Sequence, residues 1–363
     1  MAGQRKLTVQ QFQYVDLIHW GGNMKFAMRT VAAAALMSGF GVTGAQAQSG
    51  ELVLYCSVAE EWCRVMSEAF ERETGIEVLM TRKSSGETYA QIKAEEGQPR
   101  GDVWWGGTGD PHLQAAQEGL TAEYQSPMLA ELNDWAVSQA ETSGYRTVGI
   151  YAGGLGFGYN SDLVTENPPA CWADLLNEAY ENDVQVANPN SSGTAYTLLA
   201  TMVQLMGEDE AFAYLAKLHN NISQYTQSGS APIRAAATGE TAIGIVFMHD
   251  AVAQAVQGAP IVTVAPCEGT GYEVGSMSII EGGPNPDNAR VWYDWALTPA
   301  AQELGASANS FQVPSNANSA TPDAAPKLAD IKLIDYDFAL YGSSEERSRL
   351  LARWDAEIGS LPQ

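Results

Sequence analysis

Three short serine–glycine clusters carry the residue types best suited to bind something: Ser84-Ser85-Gly86, Ser191-Ser192-Gly193-Thr194 and Ser228-Gly229-Ser230. Each follows a strand-like run and precedes a run with helical spacing. A turn of this kind leaves backbone N–H groups of the new helix without acceptors, and the helix dipole adds partial positive charge there. Hydroxyls in the same turn add donors. One such turn is only a helix cap. Three that converge form an anion pocket that needs no Lys or Arg. The pattern therefore predicts a protein that holds the anionic end of a small molecule. Ser84 and Glu87 also have the spacing of a capping box, which is compatible with an anion role, and Arg82 and Lys83 stand beside it.

A different chemistry lies at His249-Asp250, which close the apolar run 243–248, and at Glu273 in a glycine-flanked turn. A carboxylate accepts from a hydroxyl and a histidine donates or accepts, so the pair fits hydroxyl recognition. Asp250 equally reads as a helix N-cap beside an incidental histidine. As an acid pair, Asp250 and Glu273 would describe a secreted glycosidase. No nucleophile elbow, zinc motif or Ser/His/Asp order accompanies them, and binding is the reading favoured over catalysis. Trp104-Trp105-Gly106-Gly107-Thr108-Gly109-Asp110 ends another strand-like run. Two aromatics and a glycine turn at a strand's carboxyl end suit the floor of a cleft. The plainer alternative puts one tryptophan in the core and leaves the glycines only to turn the chain. No Gly-Lys-Ser/Thr follows, so this is not a phosphate P-loop.

The elements that must position these residues alternate. Strand-like runs at 52–55, 76–80 and 102–105 are separated by helical patterns at 60–74, 87–96 and 112–118. After a glycine-rich stretch at 148–159, which reads as backbone packed close to something or as a crossover, a second series follows. It has a helix at 172–181, a strand at 184–187, helices at 194–206, 210–218 and 233–238, strands at 243–248 and 276–280, and helices at 289–297 and about 344–358. Alternation of this kind predicts parallel, helix-covered sheet. Two α/β lobes joined by chain crossings fit the order; a single large α/β domain is the alternative.

The chain has 363 residues, 45% of them hydrophobic, enough for two cores. Its formal net charge of −24 disfavours nucleic acid and anionic membrane surfaces, or else simply serves solubility. Any anion site must then work through short-range donors. Residues 1–47 read as a leader to be removed. Lys25 and Arg29 precede an apolar run at 31–40, which ends in the small-x-small site Ala45-Gln46-Ala47, and Met24 offers an alternative start. Export places the chain in the periplasm, where the four cysteines oxidise. The simplest pairing is Cys56–Cys63 and Cys171–Cys267, although connectivity does not follow from spacing. No Cys-x-x-Cys spacing exists, so neither metal nor cofactor is expected.

Taken together, Asp102-Val103-Trp104-Trp105-Gly106-Gly107, Asn190-Ser191-Ser192-Gly193-Thr194 and Ala235-Ala236-Ala237-Thr238-Gly239-Glu240 resemble the periplasmic solute-binding proteins of ABC importers. The likeness is to the branch with ferric-ion, phosphoglycerate and hexose-phosphate binders. It implies a type II, Venus-flytrap fold of two α/β lobes with hinge crossovers, and delivery of a solute to an inner-membrane permease by a monomer, without chemistry. On that reading the first lobe is 48–150 with 277–343 and the second is 151–276, with the helix in 344–363 unassigned. Ferric members place adjacent tyrosines where this chain has His249-Asp250, and no Tyr-Tyr pair exists here. Ferric iron is thus the second reading and a sugar phosphate such as a hexose 6-phosphate the first. The resemblance implies phosphate contacts at Ser84, Ser85, Ser191, Ser192, Gly193, Thr194 and Ser228, with Thr108 a weaker candidate. It implies sugar contacts at His249, Asp250 and Glu273.

Overall fold

The computed structural model describes residues 50–362, so the leader and its cleavage site lie outside the described residues. The first series is β1 (Glu51–Cys56), α1 (Glu60–Thr74), β2 (Glu77–Arg82), α2 (Ser85–Ala94), β3 (Val103–Trp105), α3 (Gly109–Gln117) and α4 (Asp134–Thr142). The long strand β4 (Val148–Asn160) then leads into β5 (Val184–Ala187), α5 (Gly193–Met206), α6 (Glu208–Leu218), β6 (Ile222–Thr226), α7 (Ala231–Thr238), β7 (Ile243–Phe247), α8 (Met248–Val256) and β8 (Ile261–Val264). The chain returns through β9 (Tyr272–Ile279), α9 (Pro286–Ala296), α10 (Pro299–Ser307) and β10 (Val313–Pro314), and finishes with α11 (Phe338–Tyr341) and α12 (Ser344–Trp354).

Local chemistry accounts for most of these elements. In α1, Trp62, Met66, Ala69 and Phe70 fall on one buried stripe, and Gly75 stops the helix at φ +78°. The run 243–247 is buried throughout because β7 lies between β4 and β5. The expected helix at 172–181 is instead two 3-10 turns, Trp172–Leu176 and Glu178–Tyr180. Asn221 of the second lobe donates to the carbonyls of Leu175 and Asn177, at 2.7 and 2.9 Å, which ends the first turn with its acceptors satisfied.

The strand order is β2-β1-β3-β9-β4-β7-β5-β6. The outer strands pair in parallel on each side, β1 with β2 and β3, and β5 with β6 and β7. The middle is antiparallel, since β4 and β9 run between the halves. One core gathers Leu54, Trp62, Phe70, Trp105 and Trp292; the other gathers Phe157, Trp172, Tyr196, Phe212 and Trp354. Tyr336 and Tyr341, which the sequence boundaries group with the first lobe, pack in this second core, as does α12. Arg349 and Arg353 link α12 to Glu208 at 2.6–2.8 Å. Such partly exposed pairs contribute roughly 0.2–1 kcal/mol each, while burying Leu350 and Trp354 contributes about 1.5–3 kcal/mol apiece, so apolar burial fixes α12. Disulfides join Cys56 to Cys63 and Cys171 to Cys267. None of the described helices is long and apolar enough to cross a membrane.

Candidate functional site

Six helices begin at one cavity. Their N-cap residues are Ala59 (α1), Ser84 (α2), Thr108 (α3), Ser192 (α5), Ser230 (α7) and Phe247 (α8), and all six line it. Each cap is the last residue of a parallel-paired strand or lies a few residues beyond its carboxyl end. The six strands of the two half-sheets therefore aim their ends, and the dipoles of the following helices, into a single cleft. The cleft is crossed by direct contacts. Gly86 N–H donates to Ser191 O at 3.0 Å, Arg82 Nη2 donates to Ser228 Oγ at 3.2 Å, and Gln227 donates to the Glu87 carboxylate. Gly193 packs directly on the Thr108 side chain, leaving no room for a Cβ.

At one end of the cavity the groups are neutral donors. Ser84, Ser85, Thr108, Ser192, Gly193 and Thr194 line it. The Ser84 and Thr108 hydroxyls are buried and have no protein partner, an arrangement expected where a ligand supplies it. Glu87 accepts from Ser84 N–H at 3.1 Å, the carboxylate half of a capping box, and the Ser84 hydroxyl keeps its proton to donate. Ser85 Oγ accepts from Thr108 N–H at 3.3 Å. Two serines named from sequence behave differently. Ser191 Oγ donates to carbonyls of Asn188 and Gln227, and Ser228 Oγ is taken up by Arg82; neither borders the cavity. Ser230, in the same cluster as Ser228, borders it instead.

At the other end the groups titrate. His249 Nε2 lies 3.9 Å from Asp250 Oδ2 and 3.7 Å from Glu273 Oε1. Burial lowers the His249 pKa, with Asp250 opposing, so the ring is neutral at pH 7, and its Nδ1 has no partner. Burial, then the charges of Asp250 and Asp110, hold the Glu273 carboxyl well above the usual range, so it can donate as well as accept. Asp250 lies in the first turn of α8 rather than at its N-cap, which is Phe247. Gly153 of β4 explains part of the glycine-rich stretch, because a Cβ there would lie 2.5 Å from His249 Nδ1. The cavity thus offers hydrogen-bond donors and dipoles for an anion at one end and acceptors and donors for hydroxyls at the other.

Several lining residues were not singled out from sequence. Trp104 and Trp105 do not floor the cleft; both are core, and Trp104 stacks on buried His112 at 3.6 Å. Only Gly107 and Thr108 of that motif reach the cavity. Ser57 and Ala59 follow the first strand and precede a helix, so the signature that found the other turns was present there too. The Cys56–Cys63 bond spans this turn and pins it to α1. Tyr151 and Gln312 sit in the crossings and carry no local signal. Gly107 N–H donates to Tyr151 Oη at 3.0 Å, which leaves the phenol proton available to a ligand. Arg82 borders the cavity and, among the described residues, has no carboxylate within 4 Å; it is anchored through Nε to Val58 O at 3.0 Å.

A two-lobed α/β shell with helix N-termini facing a closed cleft defines a solute-binding protein. The chain belongs to the bacterial extracellular solute-binding protein family, which it matches over residues 108–341, and it is a solute-binding component of an ABC importer. A protein of Haemophilus influenzae with no described function is 42% identical over 334 residues, 91% of this chain and 96% of that one. The periplasmic binding protein AfuA from Actinobacillus pleuropneumoniae, solved with exogenous fructose-6-phosphate bound, is 43% identical and superposes with a TM-score of 0.84 over 86% of this chain and 99% of its own. The periplasmic binding protein P5PA is 38% identical, with a TM-score of 0.83 over 85% of this chain and 99% of its own.

Proposed function

We propose that the protein captures a phosphorylated solute, a sugar phosphate such as a hexose 6-phosphate, in the periplasm and delivers it to an inner-membrane permease as a monomer. The observation that carries this is the convergence of six helix N-termini on one cavity with the Ser84 and Thr108 hydroxyls unpartnered, opposite His249, Asp250 and Glu273. The phosphate sits against Ser84, Ser85, Thr108, Ser192, Gly193 and Thr194. A phosphate dianion accepts many hydrogen bonds, and bonds to a charged acceptor contribute roughly 1.5–3 kcal/mol each. His249, Asp250 and Glu273 read hydroxyls, since an analogue without them leaves buried polar groups unpaired. A relative of similar length holds fructose-6-phosphate, which supports the same ligand class here. Ser191 and Ser228 contribute by shaping their turns, their hydroxyls being used within the protein.

Isothermal titration calorimetry with hexose 6-phosphates, glycerol phosphates and phosphonates tests the reading. Saturable binding of at least one sugar phosphate, with inorganic phosphate much weaker, is expected. No heat of binding across the panel would sink it.

A further inference from the structure

Gln312 borders the ligand cavity but belongs neither to the serine turns nor to the cluster around His249. Its place follows from sheet register. Strand β10 pairs antiparallel with β4, Val313 opposite Ala152 and Pro314 opposite Tyr151. Continued by one residue, that register sets Gln312 opposite Gly153. From the other side of β4, Glu273 of β9 is paired with the same glycine. Side chains opposite each other in a sheet share a face, so Gln312 and Glu273 flank Gly153 toward the cavity, and His249 packs on the glycine between them.

The two ends of the Gln312 amide have different surroundings. Oε1 is buried and has no hydrogen-bond partner among the described residues. The residue as a whole is only half-buried, so Nε2 is the end left to face the ligand. Behind Gln312 lies a small space, also bordered by Trp62, Trp105, Tyr151 and Gly305, with about 20 Å³ open to the centre of a water molecule. Roughly 10–15 Å³ on this measure accommodates one water, provided that it finds two to four polar partners. Three buried atoms of the bordering residues qualify: Trp62 Nε1, Trp105 Nε1 and Gln312 Oε1, each without a partner among the described residues. An indole N–H only donates, so the two tryptophans cannot satisfy each other. A water that accepts from indole N–H groups and donates to Gln312 Oε1 satisfies both kinds of atom. Turning the amide round would surround that water with donors alone.

We propose that Gln312 is a specificity-determining residue of the solute site, held by a buried water against Trp62 and Trp105 so that its Nε2–H₂ group donates to the ligand. The proposal rests on the organophosphate reading above. His249, Asp250 and Glu273 all offer an acceptor in some protonation state, whereas this face of Gln312 donates at every pH and never accepts. It therefore selects an oxygen acceptor on the sugar, a hydroxyl, ring or carbonyl oxygen, and gives a donor-only ammonium nothing to bind. Trp62 and Trp105 act through it as positioning residues.

The test is calorimetric titration of the full chain with glucose 6-phosphate, fructose 6-phosphate and inorganic phosphate. Gln312→Met keeps the length of the side chain and removes the amide. It is expected to weaken whichever hexose 6-phosphate binds by about tenfold and to leave inorganic phosphate within about threefold. Trp62→Phe is expected to weaken the same hexose phosphate by about threefold, and to cause no further loss when combined with Gln312→Met, because it acts through the amide. Trp105→Phe repeats this cycle if Trp62→Phe melts early. Unchanged hexose phosphate affinity in Gln312→Met overturns the proposal, as does an equal loss for inorganic phosphate. Additive losses in the double variant overturn the water-held positioning. If neither hexose 6-phosphate binds the unaltered protein, the organophosphate reading itself fails and this proposal with it, a distinguishable result.

Discussion

The two ends of the ligand cavity treat charge in opposite ways. The anion end is lined by serines and threonines, with Arg82 on the cavity border; helix dipoles, N–H groups and hydroxyls supply the positive potential beside that one guanidinium. The hydroxyl end is built from three ionisable side chains, and burial lowers the pKa of one, His249, and raises that of another, Glu273. Fixed dipoles cannot be titrated away, and they act only at contact distance. In a chain with net charge −24, that confines anion binding to a ligand of the right shape. In the function proposed above, the hydroxyl end supplies the selectivity that a generic phosphate cradle lacks.

The largest expected effect comes from breaking the anion end by crowding. Gly193→Ala puts a methyl into Thr108 at the point where the lobes meet. Overpacking of this kind costs about 1–3 kcal/mol, and here it holds the cleft open, so calorimetry is expected to show a loss of about a hundredfold or more for every phosphorylated ligand. Unchanged affinity would mean that the lobes need not close this tightly. Removing donors without crowding comes next. Ser84→Ala with Thr108→Val is expected to weaken sugar phosphate and inorganic phosphate alike, by about tenfold for each lost charge-assisted bond.

His249→Ala or Asp250→Ala should sharpen the contrast from the other side. Either is expected to weaken a hexose 6-phosphate by at least about tenfold while changing inorganic phosphate little, and equal losses for both ligands would erase the division of labour proposed here. A last effect, on stability rather than affinity, concerns Asp110, a buried carboxyl two residues beyond Thr108 in α3. Burial raises its pKa from 3.8 to about 6, against the opposing pull of Arg347. A raised value stabilises the fold below the ordinary pKa, and that contribution is lost as pH rises through the folded one. Between pH 4 and pH 6, on the order of the two pKa values, the wild-type melting temperature should therefore fall relative to Asp110→Asn, by an amount equivalent to at most about 3 kcal/mol. Parallel melting curves across that window would show that Asp110 is not strained by its charge.

Much of this arrangement was legible in the chain itself. The turns around Ser84, Thr108, Ser192 and Ser230 advertise themselves because a strand end, a small polar residue and a helix start are all local signals. His249 and Asp250 were legible for the same reason. What local pattern misjudged was direction. Ser191 and Ser228 carry the same residue type in the same kind of turn as Ser192 and Ser230, yet their hydroxyls point to backbone carbonyls and to Arg82. Trp104 and Trp105 stand at the right strand end but face the core, since a strand sends successive side chains to opposite faces and both faces of β3 are covered.

Sequence alone determined the alternating elements, the placement of small polar turns at strand ends and the cysteine count, because each depends on neighbours a few residues apart. Tertiary structure decided which turns share a cavity, that Tyr151 and Gln312 join them from the crossings, and that the C-terminal helix packs in the second core. Those outcomes depend on contacts between residues more than a hundred positions apart, such as Gly86 with Ser191 and Arg82 with Ser228, and no local periodicity encodes where two lobes will meet.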